Sequence, residues 1–436
     1  MADIKAFRAL RYNQQMVKIA DAVTQPYDVL DEKQQDDYYN RSPYNIIRLE
    51  LGKQYPQDSD TDNRYTRAAE FFGEWQQAGV LLQEQKPSFY LYCQEFTAKG
   101  NRYRRSGFLA TIKAEGYSSG NVLPHEQTLP HHKSDRLNLM HACLANFSPI
   151  FGLYSQPDRS CDKALAAAAQ NKEAAIDFTD ELNVRHQIWV VDDAETVAQV
   201  EKELASQKIY IADGHHRYET ATNFAKEAAK NGWSNCDYLL IDLVNLFDPG
   251  LIVLPTHRLL KKQADFRPEF FLDQLTNTGF AINKITADNG QDPLDMTLDA
   301  MKEKSDKENA AFGLYMQGSY YLLTTNRSHH LLTKMMPNTS DASRKLDVSI
   351  AHKLILENIF SIGKEELASG AAISYSRDDK EAIAMVDSGE HNFALLLNST
   401  SVDELLAVAD EGEKMPQKST FFSPKVIAGL AINKLG

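Results

Sequence analysis

The sequence predicts an α/β protein of mixed α+β character, with mixed sheets flanked by helices. Three observations point there. Apolar runs such as CDYLLIDLVNLF alternate with segments of helical period such as Arg64–Gly79. Other strands are joined by tight hairpins, at Lys99-Gly100-Asn101 and at Gln317-Gly318. Strands that meet helices in one stretch and hairpins in another belong to mixed sheets. At 436 residues the chain exceeds one ordinary core of roughly 100–200 residues. The reading divides it into an N-terminal α/β domain over 1–115, a middle domain over 116–260 and a C-terminal α/β domain over 261–436.

In chain order, Arg64–Gly79 reads as an amphipathic helix ended by glycine. SFYLYCQEFT and RYRRSGFLATIKA follow as a hairpin of aromatic and β-branched strands. A turn-rich stretch, EGYSSGNVLPHEQTLPHHKSD, shows no clean period, and irregular chain rich in polar side chains is a place for function. Alanine-rich helices are expected at 162–175 and 194–207, a short buried strand at 208–211, a helix at 218–231, and strands at 236–246 and 250–260. In the last third, FRPEFFLDQLTNTG reads as a helix, AFGLYMQGSYYLLTT as a hairpin and LDVSIAHKLILENIF as a helix. Strand and helix then alternate through ISYSRD, FALLLN and SVDELLAVADEG, where Ser401 and Glu404 form a capping box and Gly412 closes the helix.

Hydrophobic residues make up 43% of the chain and charged residues 25%, enough to bury a core and too much order for a disordered chain. The net charge of −13 repels a nucleic-acid backbone and argues against a nucleic-acid partner. MADIKAFRALRYN has no apolar signal region, and no apolar run approaches the ~20 residues of a membrane span. Cys93, Cys143, Cys161 and Cys236 form no CxxC pair, so they read as core residues in a reducing cytoplasm. Cytoplasmic location follows, with homo-oligomerisation left open.

KIYIADGHHRYETATNFAKEA is strand, tight turn, helix. Gly214 lets the backbone bend sharply and lets a ligand approach. The helix N-terminus offers amide donors and the positive end of a dipole. Arg217 adds a fork suited to phosphate oxygens, and His215 and His216 donate hydrogen bonds or carry a proton near neutrality. Asp213 is expected to cap the helix or take a proton. The bland alternative is an ordinary helix start with two surface histidines.

A second turn, LPHEQTLPHHKSDRLNLM, puts Glu126 beside His125, a carboxylate for general-base work, with Lys133 and Arg136 able to hold an anion. Leu129 stands where an HExxH motif needs histidine, and His125, His131 and His132 match no specific metal spacing. Near the C-terminus, GEKMPQKSTFFSPK gathers Lys414, Lys418 and Lys425 around Ser419 and Thr420. Gln417 replaces the glycine of a Walker motif, so Lys418, Ser419 and Thr420 make a basic, hydroxyl-bearing loop for phosphate or a solvated lysine loop.

Seven strings stand in order along the chain: FRALRYN, PYDVL, SPYNIIRLELG, SPIFGLY, IADGHHRYETA, LPTHRLL and MPQKSTFFSPK. Together they resemble the bacterial domain-of-unknown-function family 1015. PHEQT, Asp135-Arg136-Leu137 and DGHHRYETA also resemble the two halves of a ParB/sulfiredoxin-like nucleotide-binding core, which would occupy 116–260. In the sulfiredoxin branch the turn carries a reactive cysteine; here that place is His215, so sulfinic-acid repair is not implied. Members that phosphorylate free serine use a glutamate beside histidine and a glycine-containing phosphate turn. The resemblance thus implies Glu126 and His216 as catalytic, and Asp213, Gly214, His215 and Arg217 as nucleotide-binding. It leaves His125, Arg136, Lys418, Ser419 and Thr420 for substrate or phosphate. ATP or ADP with Mg2+ would be the cofactor and Asp213 a candidate ligand. The expected function is a phosphotransferase between a nucleotide and a small hydroxyl metabolite, free L-serine first. A non-catalytic nucleotide- or phosphometabolite-binding regulator is the alternative.

Overall fold

Cross-strand hydrogen bonding, rather than chain order, decides which segments share a core. The computed structural model describes residues 2–124, 133–286 and 290–436. The expected hairpin forms as Phe89–Ala98 and Asn101–Lys113, with Lys99 and Gly100 both at positive φ in its turn. These strands sit within a nine-stranded mixed sheet. Asn101–Lys113 pairs antiparallel with Tyr238–Asn245, which runs parallel to Ile150–Tyr154. Beyond it come Ile209–Asp213, antiparallel, and then Val122–Pro124, parallel to Ile209–Asp213. On the other side Phe89–Ala98 pairs with Arg185–Val191 and that with Ile176–Thr179.

Helices Ser160–Ala169, Ala194–Leu204 and His215–Lys230 form where the sequence placed them, but the first stops at Ala169, short of the expected 175, where Gln170 turns extended, and the last begins three residues before expected because Gly214 itself is its N-cap. The apolar sheet face carries one core that includes Phe108, Leu165, Ile209, Phe224 and Ile241. Burying such side chains is worth about 1.5–3 kcal/mol each. All four cysteines lie buried as free thiols.

Among the described residues, one compact unit takes the chain up to Pro124, resumes through Ile252 and takes back Phe422–Gly436. The other is Val253–Phe421. These lines differ from the three expected domains. The boundary at 115 would cut the nine-stranded sheet, and the last fifteen residues leave the C-terminal region for the first unit. In that tail Phe422, Ile427, Leu430 and Ile432 are buried, and Ala428 and Ile432 donate backbone bonds to Thr24 and Leu10, each at 2.9 Å.

The second unit is built on a six-stranded sheet in the order Ala281–Ile285, Ser319–Asn326, Asn309–Met316, His391–Leu396, His257–Lys261, Ile373–Ser376. Its pairings are antiparallel. The Gln317-Gly318 hairpin forms as expected, both residues at positive φ. Ser401 and Glu404 make the expected capping box. LDVSIAHKLILENIF is not one α-helix: Ala351–Glu357 winds as a π-helix between two short α-turns. Together the two units give a mixed α/β protein. No helix among the described residues is long and apolar enough to cross a membrane.

Candidate functional site

The strand Ile209–Asp213 runs into Gly214, at φ +85°, and directly into the helix His215–Lys230. Glycine adopts this left-handed conformation at little cost. It also makes room: a Cβ there would lie 2.9 Å from Arg217 Nε, so the guanidinium folds back over the turn. Arg217 Nη1 donates to the Pro149 carbonyl at 2.5 Å and Nη2 to Asp213 Oδ2 at 3.4 Å. On the other carboxylate oxygen, Lys425 Nζ lies 3.2 Å from Asp213 Oδ1. Lys425 is delivered by the C-terminal tail. Arg105 Nη2 holds the Pro424 carbonyl at 2.7 Å and Gln94 Nε2 holds the Lys425 carbonyl at 3.0 Å.

Burial pushes the Asp213 carboxyl up, but Lys425 and Arg217 outweigh it and hold it well below the usual carboxylate range. Asp213 is therefore a fixed anion. The expectations that it caps the helix or takes a proton are corrected: Gly214 is the N-cap and no side chain caps it. Nor does Asp213 suit a magnesium ligand, since each oxygen already faces a cation. Among the described residues there is no group of three or more metal-ligating side chains.

Arg136 is brought close to this turn, though not as a free phosphate fork. It is 6% exposed. Its Nη1 donates to Glu50 Oε1 at 3.0 Å, Nη2 to the Glu50 carbonyl at 2.8 Å and Nε to Asp135 Oδ2 at 2.7 Å. Ser148 Oγ donates to the same Glu50 oxygen at 2.6 Å. Arg64 and Tyr65 hold Asp135 in turn. Tyr27 lies under the Arg136 guanidinium, 4.0 Å from ring centroid to Cζ. Burial pushes the Tyr27 hydroxyl up to about 12, against the pull of Arg136 and Arg217. Glu50, Arg136, Ser148 and Arg217 share the wall of a 40 Å³ cavity, large enough for a water molecule.

His215 is buried and His216 half-buried in the first helical turn. Lys418, Ser419 and Thr420 belong to the second unit. There the Lys418 and Ser419 carbonyls accept from Arg258 Nη2 and Thr400 Oγ1, both at 2.9 Å, and Ser419 Oγ donates to the Pro416 carbonyl at 2.5 Å. Ser419 is thus occupied within its own loop. His125, Glu126, His131 and His132 lie outside the described residues. The strand that leads to them is described: Val122–Pro124 runs parallel to Ile209–Asp213, with Pro124 opposite Ile211. Both strands end at the same edge of the sheet.

Tyr27, Glu50 and Ser148 were not among the residues singled out as a site, and Lys425 was read only as part of the C-terminal basic loop, not as the partner of Asp213. They occur in PYDVL, LELG, SPIFGLY and SPK, the strings that carry the family likeness, and that was the available signal. The family described as "Protein of unknown function (DUF1015)" matches residues 4–349. The chain belongs to this family. The DUF1015 match takes in the Asp213–Arg217 turn and Glu50, and it stops before Lys425. No curated protein matches by sequence. Among solved structures the DUF1015 chain is similar to a free serine kinase in complex with AMP, at 12% identity and TM-score 0.33 over 70% of this chain and 84% of that one. It is similar to SbnI from Staphylococcus aureus, truncated at its C-terminus, at 11% identity and TM-score 0.33 over 74% and 87%. A conserved hypothetical protein from Pyrococcus furiosus gives 13%, 0.33, and 70% and 89%. Likeness at this level says nothing about the chemistry of this chain.

Proposed function

We propose that the protein is a phosphotransferase that moves a phosphoryl group between ATP or ADP and a small hydroxyl metabolite, with free L-serine as its first candidate substrate. One observation carries this reading: two adjacent parallel strands, Val122–Pro124 and Ile209–Asp213, end at one sheet edge. In open α/β sheets ligands bind beyond the carboxyl ends of such strands. At that edge the helix from His215 turns its N-terminus outward from a glycine, the arrangement that takes phosphate. Arg217 and Lys425 add positive charge beside it.

In this scheme the first-turn amides and Arg217 hold the transferring phosphate, and Lys425 and Asp213 set the angle of the guanidinium. Toward the described residues Arg217 uses two of its five N–H donors. His216 donates to the phosphate from the first turn. Glu126, one strand end away in sequence, takes the hydroxyl proton. The substrate oxygen then bonds to the terminal phosphorus as the bond to the departing nucleotide oxygen breaks. General-base help of this kind is worth about 10²–10⁴ in rate, and charge stabilisation at the phosphoryl group supplies much of the rest. No step is routed through magnesium. The ParB/sulfiredoxin-like core is part of this proposal.

The test is to incubate the full chain with ATP or ADP, magnesium and free serine and to look for phosphoserine by mass spectrometry. Phosphoserine is expected from the wild type and from neither Glu126→Gln nor Arg217→Ala. Nucleotide binding without product, lost in Arg217→Ala but kept in Glu126→Gln, would replace the enzyme by a nucleotide-binding regulator. Neither product nor binding would sink both.

A further inference from the structure

The second unit holds a 300 Å³ cavity of its own, at the small end of the roughly 300–1,000 Å³ of small-molecule sites. Met335, Met336, Ile362 and Tyr375 give it an apolar wall. The π-helix Ala351–Glu357 contributes His352, Lys353 and Glu357 to the lining. Single π-turns inside helices recur at functional sites.

His352 is the polar group with work left to do. It is 7% exposed. Its Nε2 accepts from Arg258 Nε at 3.3 Å. A ring nitrogen that accepts carries no proton, so the neutral ring bears its N–H on Nδ1. Burial holds the imidazole well below its usual range, and the charges of Arg258 and Lys353 act in the same direction. Nδ1–H makes no hydrogen bond to any described residue, while the residue lines the cavity. One helical turn earlier, Ser349 also lines the cavity, and its buried hydroxyl has no partner among the described residues. A buried donor left without an acceptor is destabilising.

The field at this end is positive. Arg258 is buried behind His352, and Lys414 lies in the wall. Lys353 and Glu357 are paired with each other and cancel. An imidazole donor and a serine hydroxyl in a positive field call for an anionic acceptor. The methionines, Ile362 and Tyr375 call for an apolar body.

We propose that this cavity binds a small monocarboxylate with an apolar body, its carboxylate accepting the Nδ1–H of His352 and the Ser349 hydroxyl. The site lies wholly within Val253–Phe421 and stands independently of the phosphotransferase reading.

The test is calorimetry on the full chain with phenylacetate and 4-methylpentanoate, against 2-phenylethanol and 4-methylpentanol. At least one carboxylate is expected to bind at least tenfold more tightly than its alcohol. His352→Leu should abolish that preference. Leu367→Trp fills the cavity from a half-buried wall position, and should abolish binding with the circular dichroism spectrum unchanged, which guards against a His352 variant that fails to fold. Arg217→Ala should bind as wild type does. Equal affinity for acid and alcohol, no binding of either, or binding that survives Leu367→Trp would overturn the proposal.

Discussion

Asp213 carries a cation on each oxygen, and this decides its role. Its folded pKa lies below its ordinary value of 3.8. A depressed carboxylate contributes stability that is present above its unfolded pKa and is lost as pH falls through the folded one. Removing Lys425 takes away one of the two charges responsible. Lys425→Ala is therefore expected to be less stable than wild type at neutral pH, with a deficit that shrinks below about pH 4 as the carboxyl protonates. Urea unfolding at neutral pH and near pH 3 checks this; a deficit of equal size at both would mean that Lys425 acts by packing alone. At this scale the sequence was partly legible. Gly214 and Arg217 were found from strand, turn and helix pattern, because positive φ and a forked cation are properties of the residues themselves. The engagement of Arg136 with Glu50 was not legible, since 86 residues separate them and no local pattern records a buried ion pair.

Helices and hairpins were read well because their signals are local. Arg64–Gln77 begins at Asn63, whose side chain accepts from Tyr65 and Thr66 backbone N–H at 2.9 and 3.2 Å. Such a cap is worth about 1 kcal/mol. Asn63→Ala should lower the urea-unfolding free energy by about that amount, and Asn63→Asp should restore most of it. An alanine variant as stable as wild type would show that the helix needs no cap. The π-segment Ala351–Glu357 escaped the reading because its apolar spacing also suits a buried α-helix.

At the scale of the whole molecule the tail Phe422–Gly436 does what no element alone does. It buries Phe422, Ile427, Ala428, Leu430, Ile432 and Leu435, and burial of such side chains contributes about 1.5–3 kcal/mol each for the larger ones. It also brings Lys425 to Asp213. A chain ending at Phe421 is expected to lose part of its cooperative thermal melt by circular dichroism, along with soluble yield. A melt equal to that of the full chain would show that the tail is dispensable to the first unit.

What the residues settled without a fold was the class of structure, most helices and strands, and the strand, glycine turn and helix at Asp213–Arg217, because period, propensity and turn chemistry act over a few residues. The family likeness was legible for the same reason, in short strings. Only the tertiary structure decided that Val122–Pro124 lies beside Ile209–Asp213, that one sheet spans the boundary expected at 115, and that Lys425 faces Asp213. Those pairings join segments about ninety to two hundred residues apart. They are chosen by which strand edges and apolar faces remain to be satisfied once the local elements have formed.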